Sequence, residues 1–134
     1  MEHPQTKALN IGNYGCLAMS YLYCVGIDPA EHIKILSDAI DRGVIEKDCT
    51  VYSAEKFLEY VTGKRFDVSK IQINDIKDII QPAPVRYSYI DADGIKHSHF
   101  VVVEDGKIVY NPLEVSQCII KGRPDTARII KLAK

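Results

Sequence analysis

The sequence predicts an α+β domain in which helices come first and an antiparallel sheet comes last. Three observations carry that expectation. Apolar residues recur at helical spacing between Cys16 and Val61. From Val85 onward, short β-rich runs alternate with turn dipeptides. The two patterns do not interleave, which favours helices packed on one side of a sheet over parallel βαβ units. At 134 residues the chain fits one domain, taken as 1–134.

The elements follow in order. Residues 1–14 are polar and turn-rich, with Asn10, Gly12 and Asn13. Gly15-Cys16 opens an apolar run through Leu17, Ala18, Met19, Tyr21, Leu22 and Val25 that stops at Gly26. Leu, Ala and Met favour a helix for it, buried nearly all round. Asp28 predicts an N-cap, with Pro29 at the first helical position and Glu31 at the third. Ile33, Leu36, Ala39 and Ile40 continue that helix to Gly43. After a connector, Val44 to Tyr52, Ser53 caps a third helix that ends at Gly63. Val68 to Ile73 suggests a strand, and Asn74 to Gln81 a short helix, before Pro82 and Pro84 break the chain. Strands are then predicted over Val85–Ile90, Ile95–Val103, Lys107–Asn111 and Arg128–Leu132, with turns at 91–94, 104–106 and 122–124.

Composition excludes several function classes. The residues are 46% apolar and 26% charged, with a net charge of −1. That balance offers no basic surface for nucleic acid or for a membrane. No apolar stretch is long enough to span a bilayer, and the polar N-terminus lacks a signal-peptide core. A cytoplasmic location is therefore expected, with Cys16, Cys24, Cys49 and Cys118 reduced. No Cys-x-x-Cys pair or zinc-finger spacing occurs, so no metal site is expected.

Two residues stand out as chemistry. Cys16 follows glycine at a helix start, where the helix dipole and unpaired backbone donors favour thiolate. Core filler is the plainer use of such a cysteine. His99 precedes Phe100-Val101-Val102-Val103, and a histidine within so apolar a strand needs polar partners. A satisfied structural histidine is the plainer use there. Hairpin geometry adds a third residue. A three-residue loop, Glu104 to Gly106, pairs Val103 with Lys107 and sets Asn111 directly opposite His99. A two-residue loop would move Asn111 to the other face. The same reasoning at Ala92 to Gly94 sets Tyr87 opposite His99 and Tyr89 opposite His97. Tyr87 and His97 are candidate cleft residues, His97 being the rival base. The N–H of Cys16 and the side chain of Asn10, with Asn13 behind it, are candidate oxyanion donors. Cys49, in the connector, either packs inward or lines the cleft.

The order of a cysteine at a helix start, a histidine leading an apolar strand, and Asn111-Pro112 after the next strand resembles papain-like cysteine peptidases. The chain is most similar to the compact bacterial branch that includes bacteriocin leader peptidases. That branch carries an amide residue six positions before the cysteine, usually glutamine; here it is Asn10. The resemblance implies N-terminal helices against a twisted antiparallel sheet, with the site in the cleft between. It implies a Cys16-His99-Asn111 triad, an Asn10 oxyanion donor, hydrolysis of a peptide or amide through a thioester, and no cofactor. An inactive binding or regulatory module on the same scaffold, and a phage-type peptidoglycan amidase or endopeptidase, are the alternatives.

Overall fold

The computed structural model describes residues 15–112 and 117–133. Helix α1 spans Cys16–Cys24, α2 His32–Asp41 after a 3-10 turn at Pro29–Glu31, and α3 Ala54–Thr62. Strand β1 is Phe66–Gln72, β2 Ala83–Ile90, β3 Lys96–Glu104 and β4 Lys107–Tyr110. A short helix α4, Gln117–Lys121, leads into β5, Arg123–Leu132. The fold is mixed α+β, built on a five-stranded antiparallel sheet of order β1-β5-β2-β3-β4. None of the described helices is long and apolar enough to cross a membrane.

Local chemistry explains the helix ends. The Asp28 carboxylate accepts the Ala30 N–H at 2.9 Å beside Pro29. Ser53 Oγ accepts the Lys56 N–H at 3.2 Å and starts α3. Gly63 closes α3 in the left-handed region, donating its N–H to Glu59 at 2.8 Å.

Both faces of the sheet are covered, not one. Helices α1, α2 and α3 pack through Ala18, Leu22, Leu36, Phe57 and Leu58, with Phe66, Val68 and Ile130 of the sheet beside them. On the other face, Val85, Tyr87, Val101, Val103 and Ala127 pack with Ile79 and Cys118, which come from the 73–82 segment and from α4. Helix α4 was not expected from the sequence. It ends on Gly122, whose N–H bonds Cys118 O at 2.9 Å.

Three further expectations need correction. The 74–81 segment forms turns rather than a helix: Lys77 N–H bonds Asp75 Oδ1 at 2.8 Å and Ile79 N–H bonds Ile76 O at 3.1 Å. The carbonyls of Ile79 and Ile80 are taken by Gly106 N–H and Asp105 N–H, at 2.9 and 3.0 Å, so they close no helical turn. Pro84 does not break β2 but lies within it, opposite Val102. Pairing with β5 begins only at Val85, so the missing proline N–H leaves no broken ladder bond. β5 starts at Arg123, five residues early, because Pro124 sits at a bulge opposite Tyr87. There Asp125 holds the Arg86 guanidinium in two bonds of 2.9 and 3.1 Å.

Gly122 is the tightest backbone approach. A Cβ there would meet the carbonyl oxygen of Cys118 and stand 2.7 Å from that of Ser88. Both are main-chain atoms of packed elements. Gly122→Ala is expected to lower stability by about 1–3 kcal/mol, read as a reduced urea midpoint at unchanged slope. An unchanged midpoint would show that α4 shifts freely on β2.

Candidate functional site

Cys16 is the first residue of α1. Gly15 caps the helix and, having no side chain, makes no side-chain bond to its first N–H groups. The sulfur lies against three backbone N–H groups: Phe100 of β3, Leu17, and its own. β4 pairs with β3 only from Val102 to Glu104. The outward N–H of Phe100 therefore has no partner strand among the described residues, and the thiol takes its place. Burial raises the thiol pKa more than those three donors lower it. The direction is opposite to the expected effect of the helix dipole, because burial outweighs the donors at the helix start.

His99 is 3% exposed, and its Nε2 lies 2.6 Å from Asn111 Oδ1. A carbonyl oxygen only accepts, so Nε2 carries the hydrogen and the neutral ring keeps its lone pair on Nδ1. Burial lowers the His99 pKa; the bond to Asn111 partly opposes this. Nδ1 makes no hydrogen bond to a described residue.

The route to this contact differs from the expected one. The β3–β4 loop has two residues, Asp105 and Gly106, both left-handed, with φ of 51° and 73°, and Glu104 pairs with Lys107. That register alone would put Asn111 on the wrong face. A bulge between Val102 and Val103 inserts one residue, so Val102 pairs with Tyr110. The second shift cancels the first. Asn111 comes next in line beside Val101, on the face of His99 and diagonal to it.

Tyr110, the residue before Asn111, is clamped. Its ring stacks on Tyr23 of α1, centroids 4.6 Å apart and planes 5° from parallel. His32, 1% exposed, binds the Tyr110 hydroxyl through Nδ1 at 3.2 Å and Ile27 O through Nε2 at 3.0 Å. The Ile27 carbonyl can only accept, so Nε2 donates to it and Nδ1 accepts from Tyr110. Sequence reasoning passed over His32. Its spacing with Leu36 and Ala39, four and seven residues on, is the signal that turns it inward.

A cavity of about 380 Å³ opens beside Cys16, walled by Leu17, Val51, Phe100, Ser98 and the Asp48-Cys49-Thr50 turn. Cys49 both packs inward, 3% exposed, and lines this cavity; burial pushes its thiol up to about 11. Its backbone is left-handed at φ 68°. Tyr87 does stand opposite His99, and Tyr89 opposite His97. Tyr87 and His97 share the face of His99, opposite to Ser98 and Phe100, and none of the three side chains lines the cavity; Tyr87 is core. His97 Nε2 is held by Asp91 Oδ2 at 2.7 Å, and its ring stacks on Tyr89 at 4.9 Å. Asn10 and Asn13 lie outside the described residues. Among those described, no three His, Cys, Asp or Glu side chains are grouped to hold a metal ion. A larger cavity of about 590 Å³, between Ile73, Ile79 and Ile129, lies away from Cys16 and His99.

The chain matches no protein-family model, no curated protein and no solved structure. The functional reading therefore rests on the geometry around Cys16 and His99.

Two predictions follow from the buried histidines. Tyr110→Phe leaves Nδ1 of His32 without its donor, at a cost of about 1–3 kcal/mol in urea unfolding; no loss would mean that stacking alone seats Tyr110. Burial lowers the folded pKa of both His32 and His99, so below about 6.5 the unfolded chain binds more protons. Stability therefore falls as the pH drops from about 6.5 through the two folded values. A urea midpoint equal at about pH 5 and about pH 7.5 would contradict this.

Proposed function

We propose that the protein is a cysteine-dependent hydrolase of papain-like layout, acting on a peptide or another amide. The observation that carries this reading is the 2.6 Å bond from His99 Nε2 to Asn111, which leaves the lone pair of the neutral ring on Nδ1, in the residue just before the Phe100 N–H that lies against the Cys16 sulfur. The third residue orients the ring and sets its tautomer, as a triad requires.

The electrostatics support a particular course. A buried thiol and a neutral imidazole do not form an ion pair at rest. His99 Nδ1 takes the proton as the sulfur attacks the carbonyl carbon. The carbonyl oxygen becomes an oxyanion, with the Cys16 N–H and the side chain of Asn10 as its proposed donors. The protonated ring then gives its hydrogen to the leaving amine, and a thioester remains. Water, deprotonated by the same ring, releases the acid and restores the thiol.

A second reading has its own support. The sulfur bonds main-chain N–H groups and the ring bonds Asn111, an arrangement that also suits an inactive module on the same scaffold. Alkylation with iodoacetamide at neutral pH separates the two. A hydrolase should label Cys16 at least ~10-fold faster than Cys24, Cys49 or Cys118, and His99→Gln should remove that advantage. If Cys16 labels no faster than Cys118 in the native protein, the hydrolase reading fails.

A further inference from the structure

The cavity beside Cys16 has walls of one character and a mouth of another. Leu17, Val51 and Phe100 supply half-buried apolar surface next to the sulfur. Phe100 is fixed from outside the cavity, where the Arg128 guanidinium lies 5.2 Å from its ring centroid. At about 380 Å³ the space falls in the range of small-ligand sites, and apart from Asp48 its polar lining, Thr50, Ser98 and the two thiols, is uncharged. A charged side chain seated there would lose its water with little in return.

Asp48 is the one charged residue on the cavity wall. It is exposed, and its carboxylate accepts the Thr50 N–H at 3.0 Å. That bond sets the orientation of the carboxylate while leaving its charge. Arg128 is engaged with the Phe100 ring and with Thr126 Oγ1 at 3.3 Å, and neither it nor Lys47, the chain neighbour of Asp48, lines the cavity. A group entering beside the sulfur therefore meets an apolar floor and a negative rim.

We propose that this cavity takes part of the substrate, seating an apolar side chain against Leu17, Val51 and Phe100 and a neighbouring cationic group, ammonium or guanidinium, at Asp48. The inference rests on the hydrolase reading and narrows it to cationic, apolar peptides; acidic peptides are excluded. Asp48 is then a specificity residue, acting through charge at the rim and taking no part in bond breaking.

Methanethiosulfonate reagents of different charge and size test this on the whole protein. In each reaction the Cys16 sulfur attacks the sulfenyl sulfur, a disulfide forms and methanesulfinate leaves. Rates at Cys16 are read by mass spectrometry for the methyl, benzyl, 2-aminoethyl and 2-sulfonatoethyl reagents. Asp48→Asn keeps an acceptor for the Thr50 N–H, so the turn is retained. The cation-to-anion rate ratio should fall ~3–5-fold in this variant, while the methyl rate stays within about twofold. Val51→Phe, which fills the cavity, should slow the benzyl reagent several-fold more than the methyl one. A ratio unchanged by Asp48→Asn, or equal slowing of benzyl and methyl reagents, overturns the proposal. The ratio is measurable whether or not Cys16 is activated. An ordinary methyl rate thus counts against the hydrolase reading, and an unchanged ratio counts against Asp48.

Discussion

The shortness of β4 sets the rest of the arrangement. It pairs with β3 over three residues and stops at Tyr110, which leaves β3 from Lys96 to Val101 with an open side among the described residues. An unmet backbone N–H on such an edge costs free energy unless something binds it. The sulfur at the tip of α1 lies against the one at Phe100, close enough for that N–H to lower the thiol pKa. The chain leaving β4 turns Asn111 back onto His99 at the same level. Had β4 run on as a regular strand, it would have occupied the place of the thiol.

Around that edge, buried polar groups are satisfied by one another. His99 has Asn111; His32 has Tyr110 and the Ile27 carbonyl. Each histidine is nearly inaccessible, so each bond replaces water that the ring has lost. The two pairs are also adjacent in sequence, since Tyr110 and Asn111 are consecutive and on opposite faces of β4. Stacking of Tyr23 on Tyr110 ties that end of the strand to α1, the helix that carries Cys16. The thiol and the residue that orients the imidazole are thus referenced to the same helix.

Burial acts on the thiol and the imidazole in opposite directions, raising one pKa and lowering the other. Both shifts favour the uncharged pair. Charge in this region stays at the rim, on Asp48, where water screens it.

Short-range patterns in the sequence were enough for the helix caps at Asp28 and Ser53, the stop at Gly63, and the hairpin that puts Tyr87 opposite His99, because each depends on a few consecutive residues. They also singled out Cys16, His99 and Asn111 as residues worth pairing. They did not reveal the β3–β4 bulge: the turn alone favours one register, and the competing register wins through packing of Tyr110 on Tyr23 and His32. Helix α4, the burial of both sheet faces and the place of β5 between β1 and β2 were likewise invisible. Sequence by itself determined the helix caps, the helix stop and the first hairpin register, since those follow from local hydrogen bonding and periodicity. Only the tertiary structure decided which strand lies beside which, and so which face Asn111 takes, because strand pairing is settled by contacts between residues far apart in the chain.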